Sequence, residues 1–192
     1  CLGYKGEMFK DYFLNYQYRE HDFTVTLGQS KPRVTMREKT DISNWKVTLA
    51  DTGLASMTGA RIARIAPYIP SKTFMLTYGD GVSNVNVNKL LAFHQASGKI
   101  ATITAVRQPS RFGELQLEGS RVRRFKEKPT QAGLINGGFF VLNRKIFDYL
   151  DSADQCVFEG APLETLTQKK QLAVYVHDGF WQCMDTMRDL EL

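Results

Sequence analysis

The chain has 192 residues, 43% of them hydrophobic and 23% charged, and carries a formal net charge of +5. These figures describe one domain of ordinary size with enough apolar mass for a sizeable core, and they exclude a disordered or fibrous chain. The positive balance favours anionic partners without choosing among nucleic acid, phosphorylated metabolites and a membrane surface.

No run of about 18 apolar residues occurs, and no charged-then-apolar segment opens the sequence, so neither a membrane span nor a secretory leader is expected. The three cysteines, Cys1, Cys156 and Cys183, have neither metal-ligand spacing nor the even count of a disulfide framework, which suits a reducing, cytoplasmic setting. Cys1-Leu2-Gly3-Tyr4 reads as the tail of a strand already under way. The sequence is therefore expected to be a fragment, a single domain over residues 1–192 that lacks its natural N-terminus.

In chain order, Met8, Tyr12, Phe13 and Tyr16 have helical spacing within Glu7 to Tyr18. Phe23 to Leu27 alternates with period two and reads as a half-buried strand. Trp45 to Leu49 does the same before breaking at Asp51-Thr52-Gly53. A helix is predicted over Ser56 to Tyr68, with Ser56 or Thr58 as its cap. A buried strand over Phe74 to Thr77 follows, then a helix over Val87 to Ser97 ended by Gly98. Ile100 to Val106 reads as a strand and Leu115 to Phe125 as a hairpin turning at Glu118-Gly119-Ser120. An apolar strand over Gly138 to Leu142 leads into a helix over Arg144 to Leu150, and a helix near Pro162 to Lys169 and a strand over Leu172 to Val176 complete the pattern. Strands alternating with helices at this spacing predict an α/β fold, a mostly parallel open sheet of Rossmann-like type with helices on both faces and a β-hairpin insertion.

Five segments could carry chemistry. Thr77-Tyr78-Gly79-Asp80-Gly81 ends a strand on a carboxylate between glycines, at the rim where open α/β sheets bind ligands. Such a carboxylate suits a hard cation on a nucleotide phosphate, although Gly-Asp-Gly is also ordinary turn chemistry. Asp51-Thr52-Gly53 with Ser56-Met57-Thr58-Gly59-Ala60-Arg61 joins a strand end to a helix N-terminus. Free N–H groups and Arg61 there suit a phosphate or a base edge, or the loop simply caps the helix. Arg123 to Pro129 is either a solvated charged face or the holder of Glu127 for sugar hydroxyls and Lys128 for a phosphate. Asn136-Gly137-Gly138 either lets a ligand approach closely, with Asn136 bonding a hydroxyl, or makes a turn. Asp185, after Gly179-Phe180-Trp181-Gln182-Cys183-Met184, gains interest as a second carboxylate beside Asp80. His94, next to Phe93 in a helix, reads as structural. No Ser/His/Asp or Cys/His order points to hydrolase chemistry.

These segments in this order resemble the sugar-nucleotide nucleotidyltransferases. The matches are Gly3-Tyr4-Lys5-Gly6, Trp45 to Gly53, Ser56-Met57-Thr58-Gly59, Thr77 to Val82, Arg111-Phe112-Gly113, Phe125 to Pro129, Ile135 to Leu142 and Gly179 to Thr186. The Asp-Thr-Gly loop with Ser-Met-Thr-Gly, and Gly-Phe-Trp-Gln, resemble the glucose-1-phosphate cytidylyltransferase branch. The resemblance implies CDP-glucose and pyrophosphate made from CTP and α-D-glucose 1-phosphate, for deoxysugars of surface polysaccharide, by soluble homo-oligomers with no nucleic-acid or membrane partner. It implies Mg²⁺ held by Asp80 and Asp185, nucleotide contacts from Thr52, Gly53, Ser56, Arg61 and Gly79, and sugar-phosphate contacts from Lys128, Glu127, Asn136 and Gly113. Lys128 joins the two aspartates as catalytic. Ala60 and Cys183 stand where relatives tend to have glycine and proline.

The family's opening strand and its Gly-Gly-x-Gly-Thr-Arg loop, followed by a lysine, have no counterpart in these residues. A polypeptide without them is expected to turn over negligibly, because donors at a transferring group are each worth roughly 10²–10³ in rate. The alternative reading is a non-catalytic module that binds a sugar phosphate or nucleotide. A basic nucleic-acid binder ranks below both, since the charges are dispersed along the chain.

Overall fold

The computed structural model describes residues 1–28, 31–37, 45–107, 113–126 and 133–191. Among these, the core is a four-stranded sheet in the order β3 (Thr73–Thr77), β8 (Leu134–Asn143), β5 (Ala101–Arg107), β9 (Leu172–His177). β3, β5 and β9 run the same way, and β8 runs against both of its neighbours. The mostly parallel expectation therefore holds for strand direction, with one reversed strand between β3 and β5 making the sheet mixed.

Helices cover both faces, as the alternation predicts. On one face Phe140, Leu142 and Ala101 pack with Ile62, Ile146, Phe158, Leu163 and Leu166. Ile62 comes from α3 (Thr58–Arg64), Ile146 from a 3-10 helix over Arg144–Tyr149, Leu163 and Leu166 from α5 (Ala161–Gln168), and Phe158 from the turn before α5. The other face receives α4 (Val87–Ser97), where buried His94 meets Thr102 through Nδ1 and Oγ1 at 2.8 Å. His94 is structural, as its context suggested. α4 begins on Asn86, whose side chain accepts from the Lys89 N–H, and ends on Gly98 at φ 62°, the left-handed stop that glycine tolerates.

The hairpin expected near Glu118 is β6 (Glu114–Glu118) with β7 (Arg121–Lys126). A second ribbon pairs β4 (Gly81–Ser83) with β10 (Trp181–Cys183), strands too short to announce themselves in the sequence.

The N-terminal part departs from expectation in three places. The first helix breaks at Asn15 into α1 (Gly6–Leu14) and α2 (Tyr16–Glu20). Asn15 donates its side-chain amide to the Asp11 carbonyl at 3.0 Å and carboxylate at 2.9 Å, a local bond that competes with helix continuation. β1 (Phe23–Thr26) is a strand, but it is exposed along its whole length rather than half-buried. It pairs only with β2 (Arg33–Met36) among the described residues, and the Tyr18 ring of α2 meets it edge-on at Phe23 without burying it. Trp45 to Leu49 is extended without ladder partners, and only Asp51 reaches a bridge, a single parallel one to Leu2.

The predicted helix over Ser56 to Tyr68 is α3 followed by a 3-10 turn over Ala66–Tyr68, interrupted just before Pro67 as proline requires. Neither Ser56 nor Thr58 caps it. Met57 occupies the cap position without a side-chain bond, and the capping comes from a distant segment described below.

Candidate functional site at the end of the sheet

β3 leaves the sheet at Thr77 opposite Phe139, and Tyr78, Gly79 and Asp80 continue beyond its carboxyl end. The β4–β10 ribbon folds over that same end. Cys183 lies opposite Gly81 in its ladder, and Met184 extends it by donating its N–H to the Asp80 carbonyl at 2.8 Å. Asp185 is the next residue. Asp80 and Asp185, about a hundred positions apart in sequence, thus share one end of one ribbon. Both are exposed, and the Asp80 carboxylate has no hydrogen-bond partner among the described residues. Asp185 accepts from the Cys183 thiol at 3.2 Å.

The ribbon is pinned to the sheet by Trp181, whose Nε1–H donates to the Gly137 carbonyl at 2.8 Å. That carbonyl is available because β8 bulges against β5: the register jumps where Ile103 pairs Phe140 but Ala105 pairs Asn136. Gly138 takes φ 76°, and a Cβ there would lie 2.9 Å from the Tyr78 ring. A Cβ on Gly137 would lie 2.8 Å from Val106. The close approach that these two glycines permit is therefore made by the protein's own side chains, not by a ligand. Gly79 is the contrasting case, since a Cβ there would meet nothing within 4 Å.

Asn136 lies half-buried beside them. Its Oδ1 accepts from the Gly138 N–H at 2.9 Å and its Nδ2 donates to Tyr78 Oη at 3.3 Å. Tyr78 donates in turn to Glu159 Oε1, and Thr58 donates to Glu159 Oε2 at 2.6 Å. Burial, first, and then the bond to the Glu159 carboxylate push the Tyr78 hydroxyl far above its ordinary pKa, so it stays protonated.

The second cluster lies around the loop of residues 51–57. Thr52 is buried, its N–H and its hydroxyl both donating to the Leu2 carbonyl, at 2.9 and 2.8 Å. Gly53 sits at φ 93° and donates to the Asp51 carboxylate at 3.0 Å. Ser56 donates to Asp154 Oδ1 at 2.7 Å, and Arg64 reaches Ser56 Oγ at 2.5 Å and the same carboxylate at 2.9 Å. The Ser56 bond and then Arg64 hold the Asp154 carboxyl below its usual range. Arg61 donates to the Leu2 carbonyl and to Thr52 Oγ1, each at 3.0 Å. Nη1 of the guanidinium thus braces the loop, and Nη2 reaches the Leu54 carbonyl at 3.4 Å.

The N-terminal amides of α3, read from sequence as open to a phosphate, are also taken. Gly59 and Ala60 donate to the Cys156 carbonyl at 2.9 and 3.1 Å, and Met57 donates to the Asp154 carbonyl at 2.8 Å. The segment 154–159 does the work of a cap. Glu159 joins the two clusters, touching Thr58 on one side and Tyr78 on the other.

Of the remaining sequence candidates, Gly113 stands half-exposed directly before β6, and the described contacts do not tie it to Asp80, Asn136 or Asp185. Glu127 and Lys128 lie outside the described residues. Sequence reasoning missed Tyr78, Glu159, Arg64 and Asp154. Glu159 follows the buried Phe158 directly, which was the one available signal.

A carboxylate-bearing strand end, met by a ribbon with a second carboxylate, offers two hard oxygen donors of the kind a divalent cation takes. The chain belongs to the nucleotidyl transferase family, whose model matches residues 8–190. It is 44% identical over 191 residues to the glucose-1-phosphate cytidylyltransferase of Salmonella typhi, covering 98% of this chain and 73% of that one. The glucose-1-phosphate cytidylyltransferase of Salmonella typhimurium is also 44% identical, with 98% and 73% covered. Among solved structures, a Bacillus anthracis protein assigned as a glucose-1-phosphate thymidylyltransferase superposes with a TM-score of 0.54 at 14% identity. That match covers 71% of this chain and 58% of the other, so the chain spans less than two thirds of that structure's length. It shows the shared α/β fold with its open mixed sheet.

Proposed function

We propose that the protein transfers a cytidylyl group from CTP to α-D-glucose 1-phosphate, giving CDP-glucose and pyrophosphate. A phosphate oxygen of the sugar phosphate attacks the α-phosphorus of CTP, a new P–O bond forms, and the bond to the β-phosphate oxygen breaks to release pyrophosphate. The observation that carries the reading is the ribbon that brings Asp80 and Asp185 to one end of the sheet beside Asn136, in a chain 44% identical to cytidylyltransferases.

The two aspartates fit a Mg²⁺ ion. They are hard oxygen donors, both exposed at the ribbon's end, and no group of three His, Cys, Asp or Glu competes as an all-protein cage among the described residues. Mg²⁺ typically takes one or two carboxylates plus substrate phosphates. When bound it would neutralise charge on the nucleotide. The protein's own residues bind and orient. Thr52, Gly53, Ser56, Arg61 and Gly79 are proposed for the nucleotide side, the first four through the shape of the loop they brace and Gly79 through the space it leaves. Lys128 is proposed for the sugar phosphate, with Glu127, Asn136 and Gly113 for the sugar hydroxyls.

We further take residues 1–192 as one nucleotidyltransferase domain working in the cytoplasm as a homo-oligomer, its product used for deoxysugars of surface polysaccharide. Exposed apolar groups on α1, α2 and the β1–β2 ribbon, among them Phe9, Leu14, Phe23 and Val25, support a second copy as partner. Three free cysteines support the reducing compartment, and no described helix is long and apolar enough to cross a membrane.

The test is pyrophosphate release with Mg²⁺ and glucose 1-phosphate, comparing CTP with UTP and dTTP, on residues 1–192 and on the full gene product. Turnover selective for CTP supports the proposal. Binding of glucose 1-phosphate by the full gene product without turnover would replace it with the binding module.

A further inference from the structure

Asn136 is the half-buried amide at the candidate sugar side, and its orientation is decided by a chain of donors and acceptors. A carboxylate can only accept, so Glu159 obliges Tyr78 to donate its single hydroxyl hydrogen. Tyr78 Oη is then left as an acceptor towards Asn136, and it receives Nδ2–H at 3.3 Å. The Gly138 N–H fixes the other end by donating to Asn136 Oδ1 at 2.9 Å. What remains of Asn136 is one N–H and one lone pair, a donor and an acceptor on the same amide. A sugar hydroxyl is complementary to that pair, being itself donor and acceptor.

Glu159 is in turn held from the far side. Its Oε2 receives the Thr58 hydroxyl at 2.6 Å, and Thr58 Oγ1 accepts the Phe158 N–H at 2.9 Å. Both carboxylate oxygens are therefore engaged, one with α3 and one with the sheet end.

Resting on the nucleotidyl-transfer reading above, we propose that Glu159 is a positioning residue for the sugar phosphate, acting through Tyr78 to set the Asn136 amide. It need not touch the substrate. Because the same carboxylate grips Thr58, it also fixes the distance between the braced loop and the sugar side.

The test uses the full gene product and compares Tyr78→Phe and Glu159→Gln with wild type in steady-state kinetics, varying each substrate separately. Tyr78→Phe removes only Oη. It is expected to raise the KM for glucose 1-phosphate about tenfold, the effect of about 1.4 kcal/mol for one lost hydrogen bond. The KM for CTP and kcat should stay within about twofold, since the uniform loss of a binding contact moves KM alone. Glu159→Gln should act in the same direction, and the double variant should raise the KM for glucose 1-phosphate no further than Tyr78→Phe alone, because on the sugar side both act through the Tyr78 oxygen. An unchanged KM for glucose 1-phosphate, or equal rises for both substrates, overturns the positioning role while leaving the function standing. A wild-type protein that turns over no CTP removes the functional reading itself, a distinct outcome. Should Tyr78→Phe fail to fold, Glu159→Gln carries the same readout.

Discussion

Met184 donates its backbone N–H to the carbonyl of Asp80 at 2.8 Å, and this single bond carries the β4–β10 ladder past its last paired residues to the carboxylates on either strand. The spacing between the two carboxyl groups is therefore set by backbone pairing, with Trp181 anchoring the ribbon from above.

Substituting Asp80→Asn or Asp185→Asn should lower kcat by about 10²-fold or more, the scale of losing electrostatic stabilisation at a transferring group. Both side chains are exposed, so the unfolding midpoint should move by less than about 0.5 kcal/mol in equivalent stability. The Mg²⁺ concentration for half-maximal rate should rise. A rate loss accompanied by an equal loss of stability would argue against metal binding.

Gly138→Ala and Gly79→Ala form a contrasting pair. At Gly138 the left-handed backbone and the 2.9 Å approach to the Tyr78 ring act together, so the cost should be about 1–3 kcal/mol, measured by urea unfolding. Gly79 has open space around its Cβ position and no left-handed φ. Alanine there should leave stability within about 0.5 kcal/mol. If Gly79→Ala nevertheless weakens CTP binding in calorimetry, the space belongs to the nucleotide.

Burial lowers the pKa of His94 below its ordinary 6.5. The unfolded chain then binds a proton that the folded chain refuses, and stability rises with pH in that window. The contribution is complete above about pH 6.5 and is lost progressively as pH falls below it towards the lowered folded-state value. Thermal melts from pH 7.5 down to 5.5 should show a falling Tm, and His94→Asn should flatten that slope.

Much of the architecture was legible because hydrophobic period and punctuation agreed locally. α4 had its glycine stop, β5 its β-branched run, and the β6–β7 hairpin its Gly119 turn. Asp80 was legible for the same reason, as a carboxylate placed at a strand end by glycines. The N-terminal strands were misread because alternation announces an amphipathic strand without saying whether anything buries it, and β1 stays exposed along its length although Tyr18 meets it at Phe23. Ser56 and Thr58 looked like caps because hydroxyls before a helix usually serve there. Their partners, Asp154 and Glu159, stand about a hundred residues away, where no local pattern reports them. The two glycines before Phe139 carried the right signal, close approach, with the wrong partner attached to it. For Glu127 and Lys128 the sequence remains the whole account, since they lie outside the described residues.

The borrowed cap of α3 has a consequence for the order of assembly. The helix spans seven residues, Thr58–Arg64, too short to persist alone, since isolated helices below about 12–15 residues are marginal in water. The N–H groups of Met57, Gly59 and Ala60 at its start are satisfied by carbonyls 96 to 97 residues downstream, and Ser56 waits equally for Asp154. Contacts of such sequence separation form late, after the cost of closing the intervening loop has been met. The loop of residues 51–57 is thus among the last parts to acquire its shape during synthesis. A nascent chain that has not yet delivered residues 154–159 holds the polypeptide of that loop without its conformation.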